Sequence, residues 1–148
     1  MNSILVLCEG NICRSPMAGA ILQDKLPQIV VHTAGIRPMI GQPADPVAVG
    51  LMAERNLDIS LHRARPLNRE KVVAAAVIFV MERWQEQVVL NSFPLARGKV
   101  FCLGRDQSSD IPDPYKLGLD AFVKSLSLID AGVAKWLGPL THLFKRAQ

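Results

Sequence analysis

Apolar positions along the chain come in two forms, short unbroken runs and helically spaced stripes, and the two alternate. Ile4 to Leu7 is an unbroken run of leucine and β-branched residues, the pattern of a strand buried on both faces. Glu9, Gly10 and Asn11 break it, and the last two tolerate left-handed backbone geometry. Ser15 and Pro16 then read as a helix start, serine as N-cap and proline at the first helical position. Met17, Ile21, Leu22 and Leu26 follow at helical spacing until Pro27 stops the helix. Ile29 to His32 reads as a second strand, ended by Thr33-Ala34-Gly35. The stretch from Arg37 to Pro46 holds three prolines and Gly41 and predicts a loop. Asp45 and Pro46 predict the cap and start of a second helix, with Val49, Met52 and Ala53 as its apolar face.

The longest apolar run, Val72 to Met81, has ten residues. That is well short of the roughly 18 that suggest a membrane span. It divides into the end of a short helix, Val72 to Ala76, and a third strand, Val77 to Val80. Arg83 to Leu90 reads as helix, Lys99 to Leu103 as a fourth strand, and Asp110 to Tyr115 as a proline-rich loop. Leu117 to Leu137 predicts a long C-terminal helix with Phe122, Leu126, Ile129, Val133 and Leu137 on one stripe. Gly138-Pro139 is expected to end it. Strands alternating with helices indicate βαβ units around a parallel sheet. Ligands bind such sheets at the carboxyl ends of the strands, and the turn from Cys8 to Ser15 lies at that edge.

Composition narrows the class. A chain of 148 residues is expected to be one domain, residues 1–148, at about 150 residues per domain. With 49% hydrophobic residues it has enough apolar side chains to offset ordering entropy, which argues against disorder. Three cysteines, Cys8, Cys13 and Cys102, are an odd and sparse set, contrary to a secreted disulfide framework. A reduced, cytoplasmic protein is the expectation. The apolar run Ile4 to Cys8 lacks a preceding basic region and is too short for a signal-peptide core, so neither targeting nor membrane insertion is expected. The net charge of +4 comes without a dense basic block, and only 5% of residues are aromatic, which speaks against a nucleic-acid surface. A small anionic group on a ligand or partner fits the charge better.

The segment Cys8-Glu9-Gly10-Asn11-Ile12-Cys13-Arg14-Ser15 carries the chemistry. Successive backbone N–H groups in a tight loop form a nest for an anion, and a helix N-terminus adds positive potential there. Arg14 can grip two oxygens of a tetrahedral oxyanion through its planar fork. The field of nest and arginine favours the Cys8 thiolate, the nucleophilic form. Ser15 can donate a hydrogen bond to that thiolate. A cysteine ending an apolar run is more often a small buried hydrophobe, but that leaves Gly10, Asn11, Arg14 and Ser15 unexplained. A Walker A loop fails for want of Gly-Lys-Ser/Thr. A zinc site fails because Cys8 and Cys13 lack the spacing and no second ligand pair follows; no metal or cofactor is expected.

Cys8 to Pro16 resembles the signature of the low-molecular-weight protein tyrosine phosphatases. Thr33-Ala34-Gly35, Pro43 to Pro46, His62 to Arg65, Met81-Glu82 and Ile111-Pro112-Asp113-Pro114-Tyr115 follow in that family's order and spacing. The resemblance spans essentially the whole chain and is greatest to the bacterial branch linked to exopolysaccharide or capsule production. It implies an α/β three-layer sandwich, a four-stranded parallel sheet flanked by helices with the phosphate-binding loop after strand 1. The length is close to that expected of this fold with nothing appended. The resemblance implies Cys8 as nucleophile, Arg14 as oxyanion clamp and Asp113 as general acid and then base. Glu9, Gly10, Asn11, Ile12, Cys13 and Ser15 would bind the phosphate and Tyr115 would stack on the substrate ring. The implied partner is a phosphotyrosine protein, a membrane tyrosine autokinase with a tyrosine-rich tail.

The same resemblance gives Asn11 the task of holding the loop's shape, and Cys13 that of a reversible disulfide partner for Cys8. A plain buried loop cysteine is an equal reading of Cys13, and Cys102 reads as core. Met39 and Ile40 could face Tyr115 across the cleft or simply occupy a turn or a core contact. His62, Arg63 and Arg65 read as organising structure, His32 as a strand residue, His142 as surface, and Asp45 as an N-cap rather than a catalyst. Ala76 stands where many members have aspartate, and Lys116 where animal members have a second tyrosine. Glu9, if it points outward, disfavours acidic flanks on a substrate, and Ile12 favours phosphotyrosine over phosphoarginine. An arsenate reductase of the same fold is the alternative, but it needs a cysteine relay, and only Cys13 and Cys102 remain. A non-catalytic phosphate-binding module would have no need of Cys8, Arg14 and Asp113 together.

Overall fold

The computed structural model describes residues 2–104 and 110–146. Four parallel strands, β1 (Ser3–Cys8), β2 (Val30–Gly35), β3 (Ala75–Val80) and β4 (Val100–Cys102), lie in the order β2-β1-β3-β4. Five helices connect and follow them: α1 (Arg14–Lys25), α2 (Pro46–Ala53), α3 (Arg69–Ala74), α4 (Arg83–Ser92) and α5 (Leu119–Arg146). The pleat of β1 explains its unbroken apolar run. Ile4, Val6 and Cys8 face one core with α1, α2 and α5, while Leu5 and Leu7 face a second with Val72 of α3 and Val89 of α4. A strand with both faces covered needs apolar residues at every position, and the result is the expected three-layer α/β sandwich. Trp136 of α5 packs across the sheet against Phe79 and Phe101, at ring separations of 5.0 and 5.2 Å.

Several boundaries differ from the sequence reading, and four of them have a local reason. Helix α1 begins at Arg14 with Cys13 at the cap position, so Ser15 is not its N-cap. Pro16 falls within the first turn, where its missing N–H costs nothing, and the Ser15 hydroxyl is left for Cys8 and Asn11. Thr33-Ala34-Gly35 does not end β2 but completes it, pairing with Val6, Leu7 and Cys8. Ala75 and Ala76 belong to β3 rather than to the preceding helix. Gly138-Pro139 does not end α5, which continues to Arg146. Burial of Leu140 and Phe144 in the main core holds the turns beyond Pro139 in place. Each such side chain contributes about 1.5–3 kcal/mol, comparable to the roughly 3 kcal/mol that a helix-interior proline costs.

Gly35 fixes how β2 meets the loop after β1. A Cβ at Gly35 would lie 2.9 Å from the Glu9 carbonyl oxygen and 2.9 Å from Pro38 Cβ. Beyond it the chain continues in the same direction alongside the loop: Ile36, Arg37 and Met39 N–H groups donate to the carbonyls of Cys8, Glu9 and Gly10. Arg37 and Met39 are thereby carried to the mouth of the cleft.

Candidate active site

The loop after β1 folds around Cys8 Sγ. Asn11 N–H donates to that sulfur at 3.3 Å, and Ser15 Oγ lies 3.0 Å from it. Asn11 adopts φ 59°, the left-handed region that asparagine tolerates better than most residues. Four hydrogen bonds hold it there. Its Nδ2 donates to Ser15 Oγ at 2.7 Å and to Thr33 Oγ1 at 3.0 Å. Its Oδ1 accepts from Arg65 N–H at 3.0 Å. Its carbonyl accepts from His62 Nε2 at 2.7 Å. With Asn11 occupying an acceptor position on Ser15 Oγ, the Ser15 proton is available to Cys8 Sγ. His62 is half-buried, and burial lowers its pKa; the bond to Asn11 acts in the opposite direction, and nearby Arg65 and Arg63 lower it further.

Arg14, the first residue of α1, is 1% exposed. Its guanidinium pairs with Glu82, donates to the Ile111 carbonyl at 2.7 Å, and lies 3.7 Å from Asp113 Oδ2. Glu82 in turn accepts from Trp84 Nε1 at 2.9 Å. Its own backbone N–H, like that of Met81, donates to Gln85 Oε1. Among the described residues Arg14 Nε is buried without a hydrogen-bond partner. A buried donor of this kind is costly unless something supplies an acceptor, and a bound oxyanion would do so.

Cys8, Glu9, Gly10, Ile12, Cys13, Arg14, Arg37, Met39, Asp113 and Tyr115 line one cleft of about 280 Å³. Asn11 and Ser15 stand behind it and support the loop. Asp113 Oδ1 accepts from Tyr115 N–H at 3.1 Å, which orients the carboxyl. Cys13 carries a free thiol whose pKa is pushed well up by burial first, then by Asp45, Cys8 and Asp113. Burial also raises Cys102, to about 11, with Glu86 and Asp110 adding to it. Cys102 sits in the core on the other face of the sheet from Cys8 and Cys13. Met39 lines the cleft, whereas Ile40 is 67% exposed and does not. Asp45 caps α2 by accepting from Val47 N–H at 2.9 Å. Glu9 does not stand free at the rim: its carboxylate lies 3.9 Å from Arg37.

Three residues escaped the sequence reading. Glu82 was only part of a motif, yet it is the counter-ion of Arg14. Its position just past the carboxyl end of the third parallel strand was the available signal. Arg37 and Trp84 come together at the rim, the guanidinium 5.7 Å from the ring centroid. No local pattern joins them.

A strand–loop–helix nest with a cysteine at its base, a buried arginine and a carboxyl at the mouth can receive a tetrahedral oxyanion and present a sulfur nucleophile to it. Such a nest suits phosphoryl chemistry. The family model "Low molecular weight phosphotyrosine protein phosphatase" matches residues 3–148, and the chain belongs to that family of protein-tyrosine phosphatases. It is 46% identical over 137 residues to "Probable low molecular weight protein-tyrosine-phosphatase EpsP" of Ralstonia nicotianae, covering 93% of this chain and 94% of the relative. The structure of Vibrio vulnificus Wzb in complex with benzylphosphonate matches with TM-score 0.87 and 38% identity, over 91% of this chain and 96% of the other. The YwlE arginine phosphatase from Geobacillus stearothermophilus matches with TM-score 0.90 and 27% identity, over 100% of this chain and 98% of the other. The fold is thus shared with an enzyme of a different phosphorylated side chain, and the choice of substrate rests on the site.

Proposed function

We propose that residues 1–148 act as one catalytic domain that hydrolyses protein phosphotyrosine through a phosphocysteine intermediate, with Cys8, Arg14 and Asp113 as its catalytic residues. The observation that carries this reading is their convergence on one cleft, with Asp113 Oδ2 3.7 Å from Arg14 although 99 positions separate the two in sequence. The phosphate occupies the nest, its equatorial oxygens held by loop N–H groups and by Arg14, including the unpartnered Nε. Cys8 sulfur attacks phosphorus in line; the S–P bond forms as the P–O bond to the phenol breaks. Asp113, in its acid form, gives its proton to the leaving phenolate oxygen. In the second step Asp113 takes a proton from water, whose oxygen attacks phosphorus. The P–S bond breaks, releasing inorganic phosphate and restoring the thiolate, which Ser15 and Asn11 N–H stabilise.

Ile12, Met39 and Tyr115 give the cleft apolar walls suited to an aromatic ring. The benzylphosphonate bound by Vibrio Wzb, a ring joined to a phosphonate, is in keeping with this. The partner we assign is a bacterial membrane tyrosine autokinase in exopolysaccharide or capsule output, on the strength of the whole-chain similarity to EpsP and Wzb. Action on its cytoplasmic tail places this protein in the cytoplasm. No helix among the described residues is long and apolar enough to cross a membrane.

A turnover assay on phosphotyrosine, phosphoserine and phosphoarginine peptides, beside arsenate with a thiol reductant, tests the reading. Phosphotyrosine should be hydrolysed well ahead of the others. Preferred turnover of phosphoarginine or reduction of arsenate would overturn it.

A further inference from the structure

We infer that Arg37 and Lys116 form a cationic rim that selects substrates carrying a second anionic group beside the phosphotyrosine. This rests on the phosphotyrosine reading above and adds the chemistry of the flanking residues.

The two cations come from separate loops and stand on separate aromatic supports. Arg37 follows β2 and lies over Trp84, with 5.7 Å from guanidinium to ring centroid. Lys116 follows Tyr115 and places its ammonium 5.3 Å from that ring's centroid. Lys116 has φ 62°, a conformation uncommon outside glycine and asparagine, at the turn beside Tyr115. Cation–π seating of this kind restrains two long side chains in advance, which lowers the entropy lost when they meet a ligand.

These charges differ from the one at the floor. Arg14 is matched at close range by Glu82. The carboxylate beside Arg37 is Glu9, at 3.9 Å, and both side chains are well exposed, 73% for Arg37 and 38% for Glu9. An exposed pair at that distance is weak, and a guanidinium has five N–H donors to offer. An incoming carboxylate or phosphate can therefore join or displace Glu9. The pairing offsets part of the Glu9 charge, so the repulsion of acidic flanks expected of Glu9 is weakened and Glu9 competes with the flank only modestly.

The test uses three synthetic phosphotyrosine peptides of one length, with flanking residues neutral, aspartate, or a second phosphotyrosine. kcat and KM are measured at low and at 0.3 M salt, roughly a twofold change in screening length. The wild-type enzyme should favour anionic flanks by about three- to ten-fold in kcat/KM, through KM, and less at high salt. The ratio of anionic to neutral peptide should fall towards one in the Arg37→Gln, Lys116→Gln double variant and rise in Glu9→Gln. Equal gains from aspartate and phosphotyrosine identify charge alone as the determinant; a larger gain from phosphotyrosine identifies a second phosphate as the preferred anion. A wild-type ratio near one, or a ratio unchanged in the double variant, would overturn the inference. Failure to hydrolyse even the neutral phosphotyrosine peptide would instead overturn the underlying reading.

Discussion

Arg14 and Arg37 line the same cleft, yet one side chain is 1% exposed and the other 73%. Arg14 is gripped by Glu82, the Ile111 carbonyl and Asp113, and Asn11 of the same loop makes hydrogen bonds to Cys8, Ser15, Thr33, His62 and Arg65. Arg37 rests on an aromatic face and pairs loosely with Glu9. A reaction centre needs its groups held within a fraction of an ångström, so it is built from buried polar groups that hold one another. A surface that meets a peptide needs reach and tolerance, which exposed side chains on aromatic platforms provide. The difference teaches where a substitution stops chemistry and where it only shifts preference.

Changes at the floor should therefore dwarf changes at the rim. Cys8→Ser should reduce phosphotyrosine turnover by at least about 10⁴-fold while phosphate binding survives, as read by single-turnover kinetics and phosphate titration. An active serine variant would break the comparison at its base. Asp113→Ala should slow aryl phosphates by about 10²–10⁴-fold, most for poor leaving groups, so a series of substituted phenyl phosphates should show a steeper dependence on leaving-group pKa. A small uniform effect would remove Asp113 from the acid role.

Glu82→Gln should lower kcat/KM by about 10²-fold through misplacement of Arg14, and lower Tm by removing one partner of a buried pair. Glu82→Asp should recover part of kcat. If Glu82→Gln behaves like a rim variant, the Ile111 carbonyl and Asp113 position Arg14 without Glu82.

The smallest expected effect concerns the support behind the loop. Burial holds the His62 pKa below its ordinary value, so between the two values the unfolded chain binds more protons than the folded one. Stability is then complete above about pH 6.5 and declines as pH falls below it. His62→Asn should flatten the decline of Tm between pH 7 and pH 5, measured by calorimetry. An unchanged slope would show that His62 is not the group that titrates.

How much was legible in the sequence varied with the range of the interaction. The strand β1 and the loop Cys8–Ser15 were readable because a buried parallel strand and an anion nest are local patterns. The start of α1 was misplaced by two residues: Ser15-Pro16 satisfies the capping rule, but the hydroxyl is needed by Cys8 and Asn11 instead. The end of α5 was misplaced because a proline rule takes no account of Leu140 and Phe144, whose burial carries the helix through. The task of Glu82 is not legible in the sequence because its partner Arg14 is 68 positions away. The Arg37–Trp84 contact had no sequence signal at all.

From its residues alone the chain determined a parallel α/β sheet, a phosphate-cradling loop, a cysteine and arginine within it, and a distant Asp-Pro-Tyr, since each depends on backbone preference or on neighbours in sequence. The tertiary structure decided which carboxylate balances Arg14, that its Nε is buried without a partner among the described residues, and that Glu9 stands beside Arg37. Those outcomes depend on side chains brought together by strand order and helix packing, and their energies come from burial and distance, which are properties of the folded chain.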